Sequence, residues 1–292
     1  MRSRQKYFAS SNRSLLCRKH AARNSINNFH FVFQVRLLMK MVAFIRSNVP
    51  RALEATKEPI TNYDEDDDEE EDSSKLRRKA YPGFSKFLYF LFVPTVVYRD
   101  NYPRTKKIRW HFVATSFVEV VACVVLDAFL MERFILPQTR AYGAELPAGF
   151  ASVVSICVSS MLTVFLMMLA GHYCLFHAWQ NAFAEMLRFG DRLFYLDWWN
   201  QKDYSSWFRT WNIVVQDWLF TYVYRDVAIL TKNKNLARIA VFVVSALFHE
   251  YILALSFQFF LPLQLVMFMV IGGAYFLKTI SKQSDFPAKK CC

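Results

Sequence analysis

The segment from Leu146 to Ala184 contains no Asp, Glu, Lys or Arg, and this absence of charge constrains the fold more than any other feature of the chain. A helix needs about 20 apolar residues to cross a hydrocarbon core about 30 Å thick. Within the segment, Phe150 to Ala170 meets that requirement most clearly. The whole chain is 54% apolar and 21% charged, whereas soluble domains are usually about 25% charged. These features indicate a membrane protein.

Two further regions are long enough to cross a membrane. One is Trp110 to Met131, although Glu119 and Asp127 interrupt it. The other runs between Arg238 and Lys278, and its length suffices for two spans with a break near Pro262. Backbone groups that face lipid must find their hydrogen bonds within the segment, which favours helices, and the sequence lacks the alternating pattern of a barrel. The expected fold is therefore all-α and polytopic.

The formal net charge of +12 hides an acidic run of nine residues from Asp64 to Asp72. A block of like charges repels itself and stays solvated, so we expect residues 54–80 to form an acidic disordered loop. The basic residues lie in short clusters between apolar runs, as they do in the cytoplasmic loops of membrane proteins. This distribution argues against a nucleic-acid-binding surface, which concentrates positive charge on one face. The clusters are Arg77–Lys79, Arg104–Arg109 and Lys232–Lys234.

The first 46 residues carry ten Lys or Arg and no acid, a composition that is also typical of a mitochondrial transit peptide. Residues 29–53 are nevertheless apolar and aromatic, and they place Arg36 and Lys40 four residues apart on one helical face. We therefore predict an amphipathic or partly buried helix over residues 29–53 rather than a cleaved leader.

Five of the seven Trp residues lie between Gln180 and Asn235. Trp gathers at lipid interfaces, so an aromatic belt is one interpretation of this cluster. The other is a pocket, because Asn200 follows a pair of Trp residues and Asn212 follows Trp211, which sets amide groups beside large flat rings. The sequence alone leaves both interpretations open. The five residues are Trp198, Trp199, Trp207, Trp211 and Trp218.

His249 is the strongest candidate for chemistry, because it lies inside an apolar run at the depth of the membrane. Ionisable residues are costly there and are usually functional. An apolar environment favours the neutral imidazole, which is the form that a general base needs. The competing interpretation is a hydrogen bond between two helices. Glu250 is expected on another side of the helix, since adjacent positions lie about 100° apart.

The sequence gives no support for a metal or phosphate-loop enzyme. His172 and His177 lie five residues apart with no third ligand nearby, and Asp191 and Asp197 are too isolated to suggest a carboxylate pair. A Gly-rich phosphate loop, a GxSxG elbow and an HExxH motif are all missing from the sequence.

Two motifs in the same order resemble a known family. Phe194 to Asn200 reads FYLDWWN and is similar to the FYxDWWN signature of the sterol O-acyltransferases, which belong to the membrane-bound O-acyltransferases. Phe248 to Tyr251 reads FHEY and resembles their active-site HEY element. Asp197 favours the sterol branch over the diacylglycerol acyltransferases, which usually carry Glu at that position. Further matches are Pro94–Thr105, Asn181–Arg192, Arg209–Asn212 and Asp217–Leu219.

The resemblance runs from about Phe29 to Leu277 and implies a multi-helix membrane-bound O-acyltransferase bundle, with residues 81–277 as a partial core. Residues 1–28 form a basic segment and residues 278–292 form a tail. Neither segment resembles any part of the family. Family members are nearly twice this length, so the chain is expected to be truncated at both ends.

The function implied by the resemblance is an acyl-CoA:sterol O-acyltransferase, which moves a long-chain acyl group to the 3-hydroxyl of a sterol and gives a steryl ester. His249 would then be the general base, Asn212 would orient the acyl carbonyl, and Trp211 would wall the same cavity. The residues that correspond to contacts with CoA are Arg209, Tyr224, Lys234 and Ser245. The signature itself comprises Phe194, Tyr195, Asp197, Trp198, Trp199 and Asn200.

The resemblance also implies a multi-pass protein of the endoplasmic reticulum membrane, a homo-oligomer and no cofactor, since acyl-CoA is itself a substrate. Two alternatives stay open. One is an acyltransferase for another alcohol, such as a diacylglycerol or a long-chain alcohol. The other is an inactive truncated form that pairs with full-length subunits, in which Glu119, Asp127 and Glu250 lack partners. A channel or transporter is disfavoured, because few intramembrane charges are present to line a path.

Overall fold

The computed structural model describes residues 30–54, 82–143, 149–270 and 272–273. The segments predicted for residues 1–28 and 278–292, and nearly all of the acidic loop at 54–80, lie outside the described residues. The part of the chain that is described is helical and contains no β-strand; an isolated bridge pairs Arg104 with Phe189. The prediction of an all-α fold is confirmed.

Eleven helices follow one another in the described chain, with wider or tighter turns between some of them. The helices are α1 (30–54), α2 (Phe84–Phe92), α3 (Trp110–Leu130), α4 (Leu136–Gly143), α5 (Phe150–Tyr173), α6 (Gln180–Met186), α7 (Tyr204–Trp211), α8 (Ile213–Leu219), α9 (Arg225–Thr231), α10 (Lys234–Phe257) and α11 (263–270). The π-helical turns are Met131–Ile135, Cys174–Trp179 and Phe220–Tyr224, and Trp198–Asn200 is a 3₁₀ turn.

Three helical stretches of the described residues are long and apolar enough to cross a membrane. They are Trp110–Arg140, Phe150–Met186 and Lys234–Phe257. Each was expected from the apolar runs, although the first two extend further than predicted because a π turn joins α3 to α4 and α5 to α6 without ending the helix. Many of their large apolar side chains are exposed, as lipid-facing residues would be.

The bounds of α10 follow from its local sequence. Asn233 begins the helix, because its side-chain oxygen accepts hydrogen bonds from the backbone N–H groups of Asn235 and Leu236, at 2.9 and 3.3 Å. Gln258 ends it in the left-handed region with φ 54°, and α11 begins only after Pro262. The break predicted near Pro262 is confirmed.

The chain divides into two compact units. The first unit contains the described residues up to Phe87, then Val96–Tyr98 and the residues from Val215 onwards. The second unit contains Leu88–Thr95 and Arg99–Val214.

In the first unit, α1 is joined to the segment that contains α8 and α9. The indole nitrogen Nε1 of Trp218 donates to the carbonyl oxygen of Met39 at 2.9 Å, and Arg46 forms a salt bridge with Asp226. Lys40 lies on the same helix and is only 1% exposed, so the basic face of α1 is buried at this position rather than open to solvent. Desolvation lowers the pKa of Lys40 to about 6, with a further contribution from the positive charge of Arg36.

In the second unit, α3 packs against α5, α6 and the π turn between them. The loop formed by residues 99–109 lies beside the segment that follows α6. Gly190 donates its N–H to the carbonyl oxygen of Pro103 at 2.8 Å, and a Cβ added to Gly190 would lie 3.0 Å from that oxygen. The position therefore requires Gly for close approach of the two backbones. Two of the motifs quoted above, Pro94–Thr105 and Asn181–Arg192, are thus bound to each other.

Two of the three intramembrane acids have partners, which corrects the expectation that all three lack them. The hydroxyl of Tyr173 donates to Glu119 at 3.0 Å, and the backbone N–H of Leu265 donates to Glu250 at 3.2 Å. Asp127 differs, since its Oδ1 is buried with no hydrogen-bond partner among the described residues.

Candidate functional site

His249 lies in the middle of α10 with an exposed side chain, whereas the neighbouring Glu250 is buried. The two residues therefore face different sides of the helix, as their sequence positions predict. The ring nitrogen Nδ1 of His249 lies 2.7 Å from the carbonyl oxygen of Ser245. A carbonyl only accepts hydrogen bonds, so Nδ1 carries the proton, and Nε2 of the neutral ring is left as the basic atom. The backbone of α10 thus sets which nitrogen of His249 can take a proton.

Phe268 of α11 flanks the His249 ring, with the two ring centroids 5.0 Å apart. The position of α11 depends in turn on Glu250, because the Glu250 carboxylate accepts the Leu265 N–H in the first turn of α11. Such free N–H groups at a helix start need acceptors, and the positive end of the helix dipole favours a carboxylate. Glu250 therefore holds in place the helix that carries the ring next to His249.

A polar pocket lies at the N-terminus of α10 in the first unit. Thr231, Asn233 and Asn235 supply neutral polar groups to it, and its three cationic residues come from both sides of the helix start. Lys232 adopts the left-handed conformation with φ 52°, which turns the chain sharply just before Asn233. The positive end of the dipole of a 24-residue helix and three positive side chains favour an anionic group here. The cationic residues are Lys232, Lys234 and Arg238.

Lys234, Tyr224 and Ser245 all belong to the first unit. Lys234 is exposed in the pocket just described. Tyr224 stacks on Phe220 across the π turn, with ring centroids 5.4 Å apart. Ser245 contributes its carbonyl oxygen to His249.

The FYxDWWN signature folds as a turn in the second unit. Phe194 is buried and stacks on Phe189, and Asp197 leads into the 3₁₀ turn Trp198–Asn200. The Asp197 carbonyl accepts from the backbone N–H of Asn200 at 3.1 Å and from the side chain of Gln201 at 2.8 Å. The signature therefore makes a compact corner that fixes the direction of its Trp residues.

Trp198, Trp207 and Trp211 form an aromatic cluster with His172, which we call the Trp–His cluster. The His172 ring centroid is 4.4 Å from that of Trp211 and 4.8 Å from that of Trp198. This arrangement places three of the five Trp residues in a packed cluster of side chains around a polar ring. Trp199 contacts Trp198 at the edge of the cluster, and Trp218 belongs to the first unit.

His172 is a residue whose role the sequence analysis missed, because it was considered only as a metal ligand with His177. No group of three His, Cys, Asp or Glu that could hold a metal ion occurs in the described ranges. The available signal was its place at the polar end of a long apolar helix, where a second membrane-depth imidazole invites the same question as His249.

Arg209 and Asn212 lie at the end of α7 in the second unit. Asp203 begins this helix, since its side chain accepts the backbone N–H of Ser206 at 2.8 Å. Arg209 is exposed and donates to the hydroxyl of Ser205 at 2.9 Å. Asn212 is half-buried, with φ −146°, at the residue where the helix ends.

A buried ion cluster supports this unit and was also missed. The Glu185 side chain is fully buried and accepts from the backbone N–H of Arg109 at 2.8 Å, from the Arg109 guanidinium at 3.0 Å and from Arg192 at 2.5 Å. The carboxylate raises the pKa of Arg109 through hydrogen bonding and charge. The clue in the sequence was an acid inside the otherwise uncharged start of Asn181–Arg192, with Arg192 seven residues later.

The predicted site residues fall into both units. The second unit brings together Trp211, Trp198 and the rest of the signature, with Asn212 and Arg209 at the end of the same helix. The first unit holds His249 and Ser245 in contact, and Lys234 and Tyr224 elsewhere. The roles assigned to these residues remain predictions.

Comparison with known proteins gives consistent matches. Residues 12–284 match the MBOAT, membrane-bound O-acyltransferase family. Sterol O-acyltransferase 1 of Mus musculus is 43% identical over 245 residues, which cover 83% of this chain and 42% of that protein. Sterol O-acyltransferase 2 of Homo sapiens is 42% identical over 243 residues, which cover 82% of this chain and 43% of that protein. The chain thus spans about two fifths of the length of the curated relatives it matches.

Proposed function

The chain belongs to the membrane-bound O-acyltransferase family, and on this premise we propose that it transfers a long-chain acyl group from acyl-CoA to the 3-hydroxyl of a sterol. The product is a steryl ester. The observation that carries the proposal most directly is the environment of His249, whose Nδ1 is engaged by the Ser245 carbonyl while Nε2 keeps its lone pair. An imidazole held in that tautomer is suited to remove a proton from an alcohol.

The reaction forms one ester bond and breaks one thioester bond. Nε2 of His249 removes the hydroxyl proton, the sterol oxygen attacks the acyl carbonyl, and the proton returns to the sulfur of the departing CoA. Because the thioester supplies the activated acyl group, the proposed reaction needs no metal or cofactor.

Asn212 is proposed to stabilise the negative charge that develops on the acyl carbonyl oxygen. A fixed amide N–H is an effective donor for this purpose, because it is oriented before the charge appears. Its place at the end of α7, directly after Trp211 of the Trp–His cluster, supports the role, since tight packing of Trp211 restricts the backbone that carries the amide. Trp211 itself is proposed to wall the acyl cavity.

The phosphate groups of CoA are proposed to bind at cationic residues of the site. In the first unit, the pocket at the start of α10 offers Lys232, Lys234 and Arg238 at the positive end of the helix dipole. In the second unit, the exposed guanidinium of Arg209 offers a planar donor for a phosphate. Tyr224 and Ser245 are assigned to the same ligand through the family resemblance.

A membrane location suits this pair of substrates. Acyl-CoA has a charged head that must arrive from water, whereas a sterol arrives through the bilayer and its ester can leave into lipid. We propose the endoplasmic reticulum membrane as the location and a homo-oligomer as the assembly. Residues 81–277 are proposed as the acyltransferase core.

The test is to express the 292-residue chain in cells that lack sterol-esterifying activity and to measure labelled oleate transfer from oleoyl-CoA to cholesterol. We expect ester formation by the chain and none by His249→Ala at equal membrane expression. His111→Ala is the matched control, because His111 is an exposed His at the start of α3. Activity in His249→Ala would remove the general-base assignment. If the chain forms esters with diacylglycerol or a long-chain alcohol but not with cholesterol, that alcohol would replace the sterol as the proposed acceptor substrate.

A further inference from the structure

Two polar ring atoms are buried in the Trp–His cluster without a hydrogen bond. They are Nε2 of His172, in a side chain that is 7% exposed, and Nε1 of Trp198, in one that is 6% exposed. Neither atom has a partner among the residues that the structure describes. Buried polar groups normally find partners, because leaving one without a hydrogen bond costs about 1–3 kcal/mol. Two such atoms in adjoining rings therefore point to a ligand.

The two atoms have complementary hydrogen-bonding characters. The His172 ring makes a hydrogen bond to the backbone of Trp211, at the end of α7 where carbonyl groups lack helical partners. Since Nε2 has no partner, Nδ1 makes this bond as the donor, and Nε2 of the neutral ring is an acceptor. Trp198 Nε1–H can only donate. The ring centroids of His172 and Trp198 are 4.8 Å apart, so the acceptor and the donor lie in neighbouring rings.

One acceptor and one donor are the complement of a hydroxyl group, which has one hydrogen to give and lone pairs to receive. A buried water offers the same chemistry, but it typically makes about three hydrogen bonds. The other rings against His172 are those of Trp211, Phe176 and Tyr195, of which only Tyr195 carries a hydroxyl group. Aromatic walls suit the apolar body of an alcohol better than a water molecule.

We propose that His172 and Trp198 bind the hydroxyl group of a lipid alcohol before it reacts. The hydroxyl oxygen accepts from Trp198 Nε1–H, and its hydrogen is donated to His172 Nε2. A hydroxyl has one hydrogen, so an alcohol held in this way is not the one that gives its proton to His249. The site therefore selects the alcohol rather than activating it. This inference rests on the proposed function for the identity of the alcohol as a sterol.

The inference predicts binding that depends on the hydroxyl group. The probes are radiolabelled cholesterol and radiolabelled 5-cholestene, which lacks the 3-hydroxyl, each bound to the purified full chain in detergent without acyl-CoA. His172→Phe removes the acceptor and keeps a ring, and Trp198→Phe removes the N–H donor. Each variant should weaken cholesterol binding about 3- to 10-fold, the scale of one hydrogen bond, and leave 5-cholestene binding unchanged. The double variant should weaken cholesterol binding no more than a few-fold further, because both atoms hold the same oxygen.

Phe176→Leu is the control for packing, since Phe176 lies 4.6 Å from the His172 ring, centroid to centroid, and offers no hydrogen bond. It should change the binding of both probes by the same factor. Equal effects of His172→Phe on the two probes would overturn the inference, as would a wild-type chain that does not prefer cholesterol. Lower thermal stability in both ring variants with an unchanged preference would identify a buried water instead and would also overturn it.

Acyl transfer measured on the same preparations separates the two proposals. Ester formation with no change in preference in the two ring variants overturns the inference alone. A preference for cholesterol that is lost in both ring variants, without ester formation by the wild-type chain, supports the inference and contradicts the proposed function.

Discussion

The carboxylate of Glu250 lies 3.2 Å from the backbone nitrogen of Leu265, and this hydrogen bond connects α10 to the first turn of α11. The same short stretch of α10 therefore carries an exposed imidazole on one side and a buried helix-capping carboxylate on another. His249 is thus the candidate base, and Glu250 anchors the helix that carries Phe268. The Phe268 ring in turn flanks the His249 ring.

Replacing Glu250 with Ala is expected to destabilise the protein by about 1–2 kcal/mol, because the Leu265 N–H loses its acceptor in a half-buried setting. Glu250→Gln keeps an acceptor oxygen and should lose less than half of that amount. Chemical unfolding in detergent, followed by Trp fluorescence, measures both changes. Equal stability of Glu250→Ala and the wild-type chain would show that the bond to α11 contributes nothing.

Replacing Asn212 with Ala is expected to lower kcat for ester formation about 10²- to 10³-fold, the scale for loss of one donor to a developing oxyanion. The KM for oleoyl-CoA should change little, because the donor acts mainly in the transition state. Asn101→Ala in an exposed loop position is the control and should retain activity. An increase in KM with unchanged kcat would instead assign Asn212 to substrate positioning.

Replacing Glu185 with Ala is expected to cost about 3 kcal/mol of stability, since it leaves the largely buried Arg192 without its partner. This is the lower end for a broken buried pair, because the other partner, Arg109, is 58% exposed. Glu54→Ala, an exposed change on α1, should stay within about 0.5 kcal/mol. Chemical unfolding of the two variants side by side tests the difference, and similar losses would contradict the anchoring role of Glu185.

The start of α7 should be sensitive to acid through Asp203. Hydrogen bonds from the backbone N–H and hydroxyl of Ser206 lower the pKa of Asp203 below its usual 3.8. The folded-state pKa is thus below the unfolded one, so this stabilisation is complete above about pH 4 and is lost as pH falls through the lower, folded-state value. The protection of the Ser206 amide against hydrogen exchange, relative to the intrinsic rate at each pH, should fall in that acidic range. In Asp203→Asn the acid-dependent change should disappear, and its persistence would rule out Asp203 as the titrating group.

The apolar runs predicted the membrane helices well because burial in lipid demands a long apolar helix wherever it occurs. The break between α10 and α11 was also predictable, since Pro262 cannot lie inside a continuous helix. The extension of the first two helices was not, because Glu132 and Arg133 lie in a π turn that continues the helix beyond the apolar segment. Charge density marks where a helix leaves the lipid, not where it ends.

The candidate site was predicted only in part. His249 was found because it is a single ionisable group in an apolar run. The contact of His172 with Trp211 joins residues 39 positions apart, and no periodicity connects them. The Glu185 cluster likewise depends on Arg109, which lies 76 residues earlier. Pairings of this kind come from helix packing and cannot be derived from local sequence.

The π turn at Cys174–Trp179 has a consequence for the evolution of this helix. A π turn accommodates about one residue more than an α turn, so it acts as a one-residue insertion inside an unbroken helix. Residues after it are rotated by about 100° relative to those before it. His172 precedes the turn and Ala182 follows it. A one-residue deletion between them would restore a regular α-helix, but it would rotate the face that carries Ala182 by about 100° relative to the face that carries His172. Substitutions should therefore be tolerated in this turn more readily than any change in its length.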